Sequence, residues 1–275
     1  FIGRDVEYLK APSDAAKISF FGDVNLDIVY TPQFDSDNFI NGERISFYNQ
    51  SLGRISGRDA VISTDKPDKW FRDDEIAARL YGNIGNYEMA LYGYDGFWKS
   101  PGGMDSKGRA IFPDLRVYGA SARGPFGAGI GNVEVGYYDS LDDAAGTDPM
   151  VNNCEMRYLA GYSQDIGPDF NLAIQYYVEQ MMDYGDYKRT LPAGAYRKEE
   201  WRDVVTMRLT KLEMNQNLTL SMFAYYSPAD ADAYLRPVAS YKVTDNMAVS
   251  TGANIFLGSS EKTFFGQFED NTNIY

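Results

Sequence analysis

EIAARLYGNIGNYEMALYGYDGFW, residues 75–98, decides how the rest of the chain is read. Ile76, Ala78, Leu80, Gly82 and Ile84 alternate with Glu75, Ala77, Arg79, Tyr81 and Asn83, an apolar row against a polar one. Period-two alternation places successive side chains on opposite faces of an extended chain, so the segment predicts a two-faced strand. Asn83 to Asn86 supplies turn residues, and Tyr87, Met89 and Leu91 then resume the alternation against Glu88, Ala90 and Tyr92. The result is a hairpin, either one of a few in a soluble sandwich or one of many in a closed wall.

Similar pairs fill the chain on both sides. Upstream, residues 16–31 set Ile18, Phe20, Gly22, Val24, Leu26, Ile28 and Tyr30 against Ser19, Phe21, Asp23, Asn25, Asp27 and Val29, which reads as one long strand of about 12 residues. Downstream, residues 114–140 lead in with Leu115, Val117 and Gly119, turn at GPFGAG and lead out with Val133, Val135 and Tyr137. Further pairs follow at 154–182, 201–227 and 233–258. TFFGQFEDNTNIY starts one more strand, and FIGRDVEYLK at the start is another candidate.

The connections fall into two classes. Turns near residues 84, 126, 167, 215, 245 and 270 are short, whereas 31–74, 96–113, 141–152 and 183–200 are long, polar and often acidic. Strict alternation of short and long connections trims one end of the structure and elaborates the other, as an up-and-down barrel does.

Composition narrows the function. The 275 residues carry 26 Lys plus Arg against 39 Asp plus Glu, a formal charge of -13, which disfavours nucleic acid as a partner. With 22 Tyr, 16 Phe and 26 Gly the chain favours strands and tight turns. The single Cys154 excludes an internal disulfide. No run of 18 apolar residues occurs, which argues against helical membrane spans but not against strands that need about 10 residues each.

Alternation leaves the orientation of the two faces open. In a wall of about 14 strands the interior is too wide for side chains to fill, so a wet, polar interior is the expected solution. Asp23, Asp27, Arg79, Glu88, Arg116, Glu134, Arg157, Glu179 and Arg208 are the candidates to line it. Each would cost several kcal/mol against lipid, roughly, and little against water. Arg79, Arg116, Arg157 and Arg208 suggest a basic ladder opposite Asp23, Asp27, Glu88 and Glu134, and such opposed ladders would orient polar solutes. Tyr30, Phe97, Trp98, Tyr137, Tyr138, Trp201, Tyr225 and Tyr226 fall near the long-loop ends, where an interfacial girdle belongs.

In this succession of hairpins, with aromatic-Gly steps such as Tyr81-Gly82, Tyr92-Gly93 and Tyr118-Gly119, the chain resembles a Gram-negative outer-membrane β-barrel of the porin type. The resemblance is one of architecture and covers nearly the whole length. It implies an all-β fold: one antiparallel transmembrane β-barrel over residues 1–275, with about 14 strands (roughly 12 to 16), short periplasmic turns and long extracellular loops. Residues 31–74 would fold into or over the lumen. It further implies residence in the bacterial outer membrane, contact with its lipid and lipopolysaccharide, and passive passage of small polar solutes or ions. A homo-oligomer or an exported protein partner is compatible with it. Such proteins commonly end on an aromatic residue; Tyr275 is one, but only NTNIY follows the preceding turn, so terminal strand residues are expected to be missing.

Catalytic chemistry has little support. With no His in the chain, Ser-His-Asp and Cys-His arrangements are unavailable. The carboxylate groups at Asp73-Asp74-Glu75, Asp142-Asp143 and Glu199-Glu200 read as solvated loop or strand-end charges. GPFGAGIG lacks the following helix that would present its amides to a phosphate. DSDNFINGE, residues 35–43, departs from calcium-loop spacing. The expectation is therefore no enzyme, no cofactor and no metal site. Two other readings stay open: a partner-binding outer-membrane barrel without an open pore, and a non-membrane β-protein that binds carbohydrate.

Overall fold

The computed structural model describes residues 13–50 and 52–275. It is an all-β, antiparallel structure with very little helix. The strands are β1 (Ala16–Phe20), β2 (Asn25–Thr31), β3 (Phe47–Asn49), β4 (Arg54–Ser56), β5 (Thr64–Asp65), β6 (Glu75–Ile84), β7 (Tyr87–Phe97), β8 (Gly103–Met104) and β9 (Ala110–Ile111). They continue with β10 (Asp114–Phe126), β11 (Gly129–Ser140), β12 (Glu155–Gly167), β13 (Phe170–Met181), β14 (Trp201–Glu213), β15 (Leu218–Ser227), β16 (Asp232–Thr244), β17 (Met247–Gly258) and β18 (Asn273–Ile274). One short helix, α1 (Tyr184–Thr190), lies between β13 and β14. No helix among the described residues is long and apolar enough to cross a membrane.

Thirteen strands form one sheet in the order β1-β2-β6-β7-β10-β11-β12-β13-β14-β15-β16-β17-β18, each antiparallel to its neighbour. Among the described residues no pairing joins β1 to β18. With an odd number of alternating strands these two edges run in the same direction. Tight turns, such as the one with Gly85 at φ +61°, gather at one rim. The long connections gather at the other.

Three details differ from the sequence reading. Residues 16–31 are a hairpin broken at Phe21–Val24 rather than one strand, although the five residues between Phe20 and its partner Leu26, an odd number, keep Ile18, Phe20, Leu26, Ile28 and Tyr30 on one face. The chain near residue 270 is a 3-10 turn, Gly266–Asn271, within a connection at the loop rim, and not a tight turn at the other rim. β10 turns over: its Leu115, Val117 and Gly119 share the face of Tyr94 and Tyr92, because Val117 pairs with Tyr94 and Gly119 with Tyr92. FIGRDVEYLK lies outside the described residues.

The two faces of the sheet are chemically distinct. One carries Leu26, Leu80, Leu91, Val135, Ile174, Met207, Leu220 and Val249, related through the strand registers. Many of these are open to the surroundings, with Leu91 at 58% and Val249 at 59% exposure. The other face carries Asp27, Arg79, Arg157, Gln175, Glu179 and Thr206 and is the more sheltered. Water-soluble folds show the reverse arrangement.

The loop rim is a folded layer. β5 pairs in parallel with β9, which pairs with β8, and Gly103 bridges to Val151. Phe34, Phe97 and Phe112 pack beneath it with ring centroids 5.1 to 5.3 Å apart. On the sheltered face, the connection 259–272 tucks Phe265 against Val204, Phe223 and Tyr225, forming a dry cluster flanked by Tyr234 and Phe256. The sheet curls far enough for the connection leaving β2 to touch the one entering β18, where Asn271 Nδ2 donates to the Ser46 carbonyl at 3.1 Å.

Candidate functional site

The sheltered face holds a recess of about 330 Å³ near the loop rim, bordered by Gln50, Glu155, Glu179, Arg202, Asp230 and Phe264. Strand register builds its wall. Arg157 of β12 stands opposite Glu179 of β13, which stands opposite Arg202 of β14, so three charges form one row across neighbouring strands. Arg157 is bonded to Glu155 at 2.7 Å and lies 3.9 Å from Glu179. Arg202 joins Glu179 at 3.1 Å and Asp230 at 3.2 Å, and Tyr177 donates to Glu179 at 2.8 Å. Arg157 also stacks over Tyr138, 4.0 Å from its centroid, and Arg202 over Phe264 at 4.9 Å. The chain Glu155-Arg157-Glu179-Arg202-Asp230 thus alternates in sign, and each charge is held by its neighbours.

A second network occupies β1, β2, β6 and β7. Asp27 pairs with Lys17 at 2.8 Å and accepts from Ser19 at 2.6 Å, and it stands opposite Arg79. Arg79 in turn binds Glu88 at 2.7 Å and lies over Tyr81 at 4.1 Å. Toward the rim Glu75 is buried and held by Lys99 and by the Tyr94 hydroxyl.

The sequence candidates therefore separate. Asp27, Arg79 and Glu88 come together in one patch, and Arg157 and Glu179 in another. Glu134 shares the sheltered face, accepting from Asn132 at 3.3 Å, and Arg208 stands there between Ala173 and Phe223. Asp23 sits in the β1–β2 turn instead of on a strand. Arg116 is on the opposite, apolar face, paired with Asp95 at 2.6 Å, because β10 is turned over relative to the reading from its sequence. Acids and bases interleave within each patch, so the charges do not form a basic ladder facing an acidic one.

The aromatic set divides as well. Tyr30, Tyr137, Trp201 and Tyr226 belong to the apolar face, while Trp98, Tyr138 and Tyr225 turn to the sheltered side. Sequence reasoning missed Lys17, Tyr177, Arg202 and Asp230; their pairing depends on register and on a loop position, neither of which is local. Two of the carboxylates set aside as loop charges have structural duties: Asp73 accepts from the amides of Asp68 and Lys69, and Asp143 from those of Thr147 and Asp148. Among the described residues no group of three or more Cys, Asp or Glu side chains is placed to hold a metal ion. Compared with known protein families, with curated proteins and with solved structures, the chain matches none.

Proposed function

We propose that the chain is the wall of a transmembrane β-barrel in a bacterial outer membrane and serves as a passive, water-filled conduit for small polar solutes or ions. The observation that carries this reading is the inversion of faces: exposed aliphatic side chains on one side, sheltered ion-pair networks on the other. Lipid rewards the first face and a wet lumen the second.

Two bands of rings on the apolar face add support. Tyr30, Tyr137, Trp201 and Tyr226 lie toward the loop rim, and Phe20, Tyr87, Phe126, Tyr162 and Tyr241 toward the turn rim. Tyr226 and Leu218, which stands opposite Tyr241, are eight positions apart on β15, roughly 26 Å of strand at about 3.3 Å per residue. A tilt of about 40° reduces this to roughly 20 Å, near the height of a bilayer's apolar band. Closing the wall with antiparallel pairing throughout takes one more strand between β1 and β18, running opposite to both.

The inward-folded connection 259–272 and the loop layer narrow the interior, and they favour the second reading, a structural or partner-binding barrel without an open pore. Single-channel recording in a planar bilayer under a salt gradient separates the two. Stepwise conductance with a measurable reversal potential supports the conduit, whereas insertion without conductance overturns it.

A further inference from the structure

We propose that the β3–β4 hairpin is a hinged lid over the recess, held shut by a polar latch on the Gly266–Asn271 segment. This rests on the conduit reading of the same recess. The hairpin leaves and re-enters the loop layer through a narrow neck. Gly42 there has φ +93°, and a Cβ on it would lie 2.8 Å from the Gly57 carbonyl oxygen, so the two strands of the neck touch backbone to backbone. Only glycine combines that conformation with that approach. Arg58 Nε donates to the Glu43 carbonyl at 3.1 Å across the same neck.

Beyond the neck the hairpin packs on itself. Phe47 is buried, and its ring is the next nearest group to the place of a Cβ on Gly42. Its ties to the far side of the sheet are polar. Ser46 N and Oγ lie 3.3 Å from Asn271 Oδ1, Asn271 Nδ2 reaches the Ser46 carbonyl at 3.1 Å, and Tyr48 N donates to Gln267 Oε1 at 3.2 Å. Lys262 Nζ sits 5.9 Å from the Tyr48 ring centroid.

The receiving side is fixed, because Phe265 and Phe268 are buried among rings on the sheltered face. Release of the latch therefore moves the hairpin and leaves 259–272 in place. Gln50 of the hairpin and Gln267 and Lys262 of the receiving segment all border the recess, so the contact between hairpin and segment lies at its edge. Neutral hydrogen bonds with little apolar burial suit a contact that opens and recloses.

The test compares the wild type with Asn271→Ala and Gln267→Ala in two assays: single-channel dwell times in planar bilayers, and trypsin cleavage at Arg44 and Arg58 of the folded protein in detergent. The lid predicts shorter closed dwell times in both variants, with cleavage about five-fold faster in Gln267→Ala, which loses one hydrogen bond to the hairpin, and faster again in Asn271→Ala, which loses those to Ser46. A conducting wild type whose dwell times and cleavage are matched by both variants overturns the lid. Faster cleavage in variants that, like the wild type, never conduct keeps the lid and overturns the conduit. Silence in bilayers with unchanged cleavage overturns both.

Discussion

Arg116 and Asp95 form an ion pair at 2.6 Å on the face that otherwise carries Tyr118, Ala120 and Leu91, and they do so where β7 and β10 meet the loop rim. The apolar face thus accepts charge at its margin. At its middle it is aliphatic, as a slab of hydrocarbon with polar borders would require.

Substitution across that face should follow depth. Leu91→Arg, at mid-strand, is expected to cost about 2–4 kcal/mol when unfolding by guanidinium is followed in lipid vesicles. Arg116→Leu at the margin should change stability by less than about 1 kcal/mol. A cost near zero for Leu91→Arg would describe an ordinary wet surface and remove the bilayer from the picture.

The row through β12, β13 and β14 makes Arg202 the shared partner of Glu179 and Asp230. Arg202→Ala leaves two sheltered carboxylates short of a counter-charge, and a loss of about 1–3 kcal/mol is expected. The recess also gains negative character, so the reversal potential should shift toward cation preference. Arg202→Lys should restore the charge preference but not the whole stability, since one ammonium cannot reproduce the two-sided guanidinium contact.

Cys154, just before β12, is buried with its Sγ 3.5 Å from Asp139 Oδ1. Burial pushes its thiol pKa up, so the reactive thiolate is scarcer at pH 8 than on a free cysteine. Labelling by a water-soluble disulfide reagent should be slow in the folded protein and immediate in denaturant. Rapid labelling of the folded form would show that the 141–154 connection opens readily.

Asp105 accepts from the amides of Lys107 and Arg109 at 2.9 and 2.8 Å and pairs with the Arg109 guanidinium, which also binds Asp65 at 2.6 Å. The Arg109 amide bond first, and the guanidinium with it, hold the Asp105 carboxyl below its ordinary 3.8. A folded-state pKa below the unfolded one stabilises the loop fully above the unfolded value and loses that contribution as pH falls through the folded value. Protection of the Lys107 and Arg109 amides, corrected for intrinsic exchange, should therefore stay level from neutral pH to about 5 and fall only below the ordinary Asp range. A decline already between pH 7 and 5 would assign the loop's order to another group.

Much of this molecule is legible from local pattern. The alternation in residues 75–98 and 170–178 places each side chain on its face, because a strand's period of two needs no partner to be read. The alternation of turns and long connections is legible for the same reason. Gly, Asn and Asp mark a turn wherever the strand beside it finally pairs.

What the tertiary structure decided is register and loop position. β10 has Val117 and Gly119 on one face and Tyr118 and Ala120 on the other, nearly equal in polarity, so only its pairing with Tyr94 and Tyr92 determined that Arg116 lies on the apolar face. The break at Phe21–Val24 was masked, despite Gly22, Asp23 and Asn25, because the five residues between Phe20 and its partner Leu26 keep the period in phase. The latch between Ser46 and Asn271 and the burial of Phe265 join residues far apart in sequence, and contacts of that range carry no local signature. The sequence by itself thus determined two faces and two rims; the fold alone decided which charges meet and what covers them.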